Sequence, residues 1–308
     1  MAKLQDKIKL KERVNVHSSI IYNYIIEKFF LLIALSCLLI LLLIMLFLFR
    51  EGLPIFKVIT ISDFLTGNEW YPTSEIPRYG ILPLIVASVS VTILASIIAV
   101  PLSLAIAIYL SEMARSQVRE VMKPTIELIA SIPSVIIGFF GMVVVAPFLQ
   151  KHFDIDTGLN LFNAAVMLAF MAIPTIASIS EDAISSVPVS LKEASYALGA
   201  NRWQTIYHIT LPAALSGIWT AIILGVSRVI GETMVVLMVA GGAAVIPGSI
   251  FDPIRPLTSN IAAEMAEAEV GGNHYHALFA VGIVLFFITF GFNIIADYLS
   301  NKYKFKTN

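Results

Sequence analysis

The stretch LKEASYALGANRWQTIYHITLP, residues 191–212, is a short polar interval between two long apolar runs. Glu193, Ala194 and Ser195 open it, Gly199 follows six residues after the glutamate, and Ile209, Leu211 and Pro212 close it. Glycine suits the left-handed residue that ends a helix, and proline is tolerated in the first turn of the next. The expected shape is a helix, a glycine break and a second short helix capped by Leu-Pro. Such a knob fits a groove on another protein. An ordinary interhelical loop uses the same two residues for the same reasons, so the local reading leaves both open.

The surroundings narrow the class. Of 308 residues, 58% are hydrophobic and 13% charged, too little polar surface to cover a soluble domain of this length. Runs able to cross about 30 Å of hydrocarbon at about 1.5 Å per residue occur at Phe29–Phe49, Ile81–Leu110, Pro124–Gln150, Leu161–Ile184, Leu211–Ala240 and Ala277–Leu299. The expected fold class is an all-α polytopic membrane protein with six transmembrane helices. Its parts are a basic tail 1–28, a first span 29–49, an outer segment 50–80, a transmembrane domain 81–299 holding the loop 185–212, and a tail 300–308.

With the N-terminus inside, the inner segments carry fourteen Lys and Arg against five in the outer ones, which puts both termini and the 185–212 loop in the cytoplasm. The first run is longer than a signal-peptide core and follows a basic tail, so it is expected to stay as an anchor. Its Cys37 is the single cysteine, which excludes an intrachain disulfide. The net charge of -1 excludes nothing, but no basic block of the size that nucleic-acid binding uses lies beyond the tail, so no nucleic-acid partner is expected; the tail sets topology or touches membrane lipid.

Pro83, Pro101, Pro133 and Pro174 interrupt the spans, as do Gly138 and Gly141. Breaks at membrane depth are tolerated where protein buries them or a cavity is lined, and small residues there also let helices pack closely. Residues 241–276 are rich in Gly, Pro and Ala and read as a re-entrant or interfacial segment at the outer mouth.

No G-x-x-x-x-G-K-[ST] loop is present, so nucleotide phosphates are handled by a partner. There is no H-E-x-x-H and no cysteine pair, and His274-x-His276 alone lacks the further ligands a metal needs, so a helix-start role at the outer interface is expected for both. The strong chemical signal is Ser227-Arg228-Val229-Ile230-Gly231-Glu232-Thr233 inside the fifth run. An ionised side chain near the bilayer centre costs at least about 2.5 to 3.5 kcal/mol. Arg228 and Glu232, four apart, either pair along one helical face or serve an anion path. In the second reading Arg228 attracts the anion, Glu232 competes with it so that it leaves, and Thr233 adds a hydroxyl. Glu127, near the inner end of the third run, and Ser134 are gate candidates, and Asn293 is a candidate for gluing helices.

The pattern E-A-A-x-x-x-G-x(9)-I-x-L-P, matched except for Ser195 in place of the second alanine, resembles the coupling loop of ABC importer membrane subunits. With Arg-x-x-Gly-Glu-Thr, Phe64-Leu65-Thr66-Gly67-x-x-Trp70, Tyr79-Gly80-Ile81-Leu82-Pro83, Ala130-Ser131-Ile132-Pro133-Ser134-Val135 and His274-Tyr275-His276-Ala277-Leu278-Phe279-Ala280, the chain looks like the C-type (PstC-type) membrane subunit of phosphate-specific (Pst) ABC importers. The resemblance spans about residues 60 to 299. Ala87-Ser88, where many relatives have Gly-Thr, departs from it. It implies a type I importer permease (MetI-like) core and a non-catalytic subunit. The implied partners are a PstA-type second permease in a heterodimer, two copies of a cytoplasmic ATPase that use ATP and Mg, and an extracytoplasmic phosphate-binding protein. It further implies that Arg228 and Glu232 serve phosphate passage and that Glu193, Ala194, Ser195, Gly199, Ile209, Leu211 and Pro212 dock the ATPase. Permeation of another oxyanion such as molybdate or sulfate, a phosphate-sensing role, and a channel or secondary transporter are the alternatives. The last gives no reason for the knob.

Overall fold

The computed structural model describes residues 2–302, without the side chains of 2–23 and of a few residues near the other end. Residues 303–308 of the expected tail 300–308, and Met1 of the expected tail 1–28, lie outside the described residues. Two compact units divide at Arg50. The first is the helix α1 (Ala2–Gly52) up to that residue, whose side chains from Phe29 to Ile44 are exposed and, with few exceptions, apolar.

The second unit begins with a 3-10 turn at Leu53–Lys57, α2 (Ile61–Thr66) and a two-residue antiparallel hairpin, β1 (Trp70–Tyr71) with β2 (Arg78–Tyr79). Gly67 and Gly80 let these pieces close. A Cβ on Gly67 would stand 2.8 Å from the Gly80 Cα, and the two strands of chain bond through Ile81 N to Phe64 O and Leu82 N to Gly67 O. Ile55, Phe64, Trp70, Tyr79 and Ile81 are buried against Leu257, Ala277, Leu278 and Val281, so the outer segment is part of a packed core.

The long helices follow: α3 (Leu82–Ile108) continued by a π turn at Tyr109–Met113, the amphipathic α4 (Ser116–Ala130), then α5 (Ser134–Phe140) joined by a π turn to α6 (Ala146–Phe153). After α7 (Leu161–Ser185) come α8 (Val189–Ala197) and α9 (Arg202–Thr205), which runs through a π turn into α10 (Leu211–Ile230). The short α11 (Met234–Val239), α12 (Leu257–Glu264) and α13 (Asn273–Lys302) complete the chain. Among the described residues six helical stretches are long and apolar enough to cross a membrane.

α7 is the centre, with Ala164, Ala165, Leu168, Ala169, Ala172 and Ala177 at 0–1% exposure. Ala164, Ala165, Ala169 and Ala172 share a core cluster with Ala87, Ala95 and Ala99 of α3, a packing of small residues that lets two helix backbones approach.

The span limits shift from the sequence expectation, and in two spans the shift has a local cause. The third span runs Ser134–Phe153 instead of Pro124–Gln150, because the chain breaks at Ser131–Pro133. Pro124 lies within α4, a helix without buried residues. The fifth span runs Arg202–Ile230 instead of Leu211–Ala240. A capping box starts the helix early: Asn201 accepts from Gln204 N and Gln204 accepts from Asn201 N. Pro212 and Pro147 each sit two residues beyond a π turn. Proline has no N–H to offer the carbonyl four residues back and crowds it, and a widened turn relieves both problems.

Residues 241–256 fold back into the protein. Ile254 and Leu257 are fully buried, Ile254 N bonds Ala240 O, Leu161 N bonds Asp252 O, and Leu257 N bonds the Ser88 hydroxyl.

Candidate functional site

Three groups of residues stand out, at the knob, at the far end of α10, and on the side of the hairpin.

In the knob, α8 ends in a Schellman motif. Gly199 N bonds Tyr196 O, Ala200 N bonds Ser195 O, and Gly199 holds φ +83°, the left-handed conformation anticipated for it. Ser195 is buried and its hydroxyl meets that of Thr205 at 3.0 Å, stitching α8 to α9. Glu193 and Ala194 are exposed, and so is Pro212, while Ile209 and Leu211 are half-buried. Leu211 and Pro212 do not cap a short helix as expected but lie within the continuous rod from Arg202 to Ile230. Leu198 at 90%, Tyr207 at 71% and Trp203 at 62% exposure leave an apolar patch at this polar end, a composition suited to a protein partner.

Behind the knob the charges are paired. Glu181 of α7 is 0% exposed and accepts from Arg119 and Lys123 of α4 and from the Ser185 hydroxyl. Lys123 also reaches Asp182, and hydrogen bonds to Asp182 and Glu181 hold its ammonium above the ordinary lysine value, so it stays charged. Lys192 of α8 donates to Glu112 in the π turn after α3 at 2.5 Å. Sequence reading missed these groups. The signal was there in Glu181-Asp182 at the end of an apolar run and in Arg119-x-x-x-Lys123, two cations on one helical face.

At the other end of α10 the chain breaks. Arg228 is in the last turn, and the helix stops at Ile230 before Gly231. The break carries Glu232 away from the i,i+4 position. No ion pair joins it to Arg228; its Oε1 instead accepts from Met234 N and Val235 N, capping α11, and its carbonyl accepts from the Thr258 hydroxyl. The Thr233 hydroxyl donates to Gly231 O at 3.4 Å. Arg228 is exposed, and its one partner among the described residues is the Thr175 hydroxyl of α7 at 3.4 Å. Most of its donors are therefore available to an anion. Ser227 donates to Asn293 of α13 at 2.9 Å, the interhelical bond foreseen for that asparagine. Glu127 is exposed on α4, outside the membrane-spanning helices, and Ser134 is the half-buried first residue of α5; no side-chain bond links the two.

On the hairpin side, Glu264 accepts from Trp70 Nε1 at 2.9 Å and Arg255 Nη1 at 2.5 Å, and meets His274 Nε2 at 2.8 Å. They border a cavity of about 400 Å³. His276 Nδ1 bonds Glu51 O at 2.7 Å, so both histidines tie the first turn of α13 in place. Among the described residues no group of His, Cys, Asp and Glu is arranged to hold a metal.

Residues 99–305 match the family described as the binding-protein-dependent transport system inner membrane component. The probable ABC transporter permease protein YqgH of Bacillus subtilis (strain 168) is 43% identical over 260 residues, covering 84% of each chain. The phosphate transport system permease protein PstC of Pasteurella multocida (strain Pm70) is 37% identical over 246 residues, 74% of this chain and 76% of the relative. Among solved structures, a bacterial alginate ABC transporter superposes with TM-score 0.61 at 16% identity, over 89% of this chain and 95% of that one. A chain of the inward-facing MetNI methionine ABC transporter superposes with TM-score 0.56 at 21% identity, over 70% and 93%.

Proposed function

The chain belongs to the binding-protein-dependent transport system inner membrane components, and from that premise we propose that it is the C-type permease subunit of an ATP-driven inorganic phosphate importer. It is a multi-pass inner-membrane protein and a non-catalytic subunit with a type I, MetI-like fold. Its partners are a separate ATPase and a substrate-binding protein. An A-type permease completes the pathway as a heterodimer, two ATPase copies use ATP and Mg, and both termini face the cytoplasm.

The 37% identity to a phosphate permease over three quarters of the chain carries the substrate assignment, and Arg228 supports it chemically. A guanidinium stays charged at every physiological pH and offers planar donors that match phosphate oxygens. Held among the described residues by Thr175 alone, it has donors to give a passing anion and a neutral partner to return to. Weak, replaceable binding is what turnover requires. The knob, residues 191–212, docks the ATPase through Glu193 to Pro212.

The test is uptake of labelled phosphate by proteoliposomes holding the assembled importer and its binding protein. ATP-dependent accumulation resistant to excess sulfate and molybdate is expected. Accumulation of either of those anions in preference to phosphate would overturn the substrate assignment.

A further inference from the structure

We propose that the ion pair between Lys192 on the knob and Glu112 at the end of α3 is the joint that passes knob displacement to the translocation helices; the inference rests on the function proposed above. Most polar side-chain bonds of the knob stay inside it or run to its own helix. Ser195 meets Thr205, Asn201 and Gln204 cap one another, and Thr205 bonds Asn201 O. Among the described residues, Lys192 is the knob side chain that bonds another element, and its partner lies 80 residues away in sequence.

The pair is shielded, with side-chain exposures of 18% for Lys192 and 8% for Glu112. Water and salt screen such a link far less than a surface pair. Lys192 is also next to the exposed Glu193, so a force applied at the docking surface meets the joint one residue away.

From Glu112 the connection is continuous. Its π turn extends α3 without a break, and Ser103 of α3 donates to Ile173 O of α7 at 3.2 Å. Two residues on is Thr175, the partner of Arg228. The segment after Glu112 also grips α7, since Arg119 and Lys123 hold Glu181. The end of α3 therefore moves together with α7, and displacement of Lys192 reaches the helix that positions Arg228.

The experiment uses the complete importer in proteoliposomes and compares Lys192→Glu, Glu112→Lys and the double exchange. ATPase retention, phosphate-stimulated ATP hydrolysis and phosphate uptake are measured. Each single change should keep the ATPase bound while cutting stimulation and uptake by about tenfold, an ordinary size for coupling between sites. The double exchange should restore most of both. Single variants that transport normally, or a double variant no better than the worse single, would overturn the joint.

Should the single variants fail to assemble, Lys192→Cys/Glu112→Cys in a Cys37→Ser background decides. Bridging the two thiols with a short bifunctional reagent should raise uptake, whereas loss of uptake on bridging identifies a latch that must open and refutes the joint. A wild-type importer stimulated by another oxyanion and not by phosphate would refute the substrate reading alone; the charge exchange is then read with that anion.

Discussion

The two ends of the rod from Arg202 to Ile230 treat charge in opposite ways. Beside its start every buried ion has its counter-ion, Glu181 with Arg119 and Lys123, and Glu112 with Lys192. At its far end Arg228 has a hydroxyl 3.4 Å away and, among the described residues, no carboxylate partner. Ions that hold helices together are neutralised by the protein itself, because an uncompensated buried charge is costly. On the function proposed above, the ion that a hydroxyl alone holds is the one assigned to the cargo. On the proposed function the contrast separates structural charge from transport charge, and each side of it can be attacked.

The largest effect is expected on the paired side. Glu181→Ala leaves Arg119 and Lys123 without their shared acceptor and opens a buried hole. Breaking a buried pair costs about 3 to 5 kcal/mol. Arg119 and Lys123 keep 38% and 29% side-chain exposure, so they rehydrate in part, and the cost should fall near the low end. A lower unfolding temperature in detergent and lower membrane abundance are expected. Unchanged thermal stability would show that the cluster does not hold α4 to α7.

On the unpaired side Arg228→Gln should behave in the reverse sense, with normal abundance and lost transport. Hydrogen bonds to a charged group contribute about 1.5 to 3 kcal/mol, so uptake should fall by about tenfold to a hundredfold. Glu232→Gln should do much less to the fold, since an amide oxygen still caps α11. Any change in its uptake then reports the carboxylate's charge on the anion. If Arg228→Leu/Glu232→Leu transports phosphate normally, Arg228 is not on the path and the contrast collapses. Uptake and abundance measured on the same membranes separate these outcomes.

Local chemistry was legible in the sequence. The six apolar runs and the left-handed Gly199 follow from composition and the backbone preferences of single residues. What depended on distance was not. Glu181 meets its cations 58 and 62 residues away, and no local pattern places α4 beside α7. Two local readings were also outweighed. Leu211-Pro212 reads as the cap of a short second helix, yet the helix begun by the Asn201–Gln204 box runs on through it and a π turn absorbs the proline. Arg228 and Glu232 have helical spacing, but Gly231 between them ends the helix, so the spacing never becomes a contact.

A smaller effect, within the knob, is expected from Gly199→Val. Nothing lies within 4 Å of where its Cβ would be, so the cost comes from φ +83° alone. A left-handed backbone costs an L-residue about 1 to 2 kcal/mol, and asparagine less than most. The membrane helices should stay intact while ATPase binding and coupled uptake fall, with Gly199→Asn intermediate. A valine variant that retains substrate-stimulated ATP hydrolysis at normal membrane levels would remove the knob from the coupling path.

Ser195→Ala should give the smallest change, and it probes the one place where the knob departs from the E-A-A pattern. The hydroxyl bond to Thr205 would be lost, but Thr205 keeps its bond to Asn201 O, so no buried hydroxyl is orphaned. A neutral hydrogen bond without an orphan contributes about 1 kcal/mol. The stitch between α8 and α9 is then an addition to a knob already shaped by the Gly199 turn and the Asn201–Gln204 box. Uptake of Ser195→Ala within a factor of about two of wild type, with a slightly lower unfolding temperature, is the expected outcome. A loss of coupling as large as that of Gly199→Val would instead make the hydroxyl pair the element that sets the knob's shape, and would extend the paired, structural side of the contrast from ions to neutral groups.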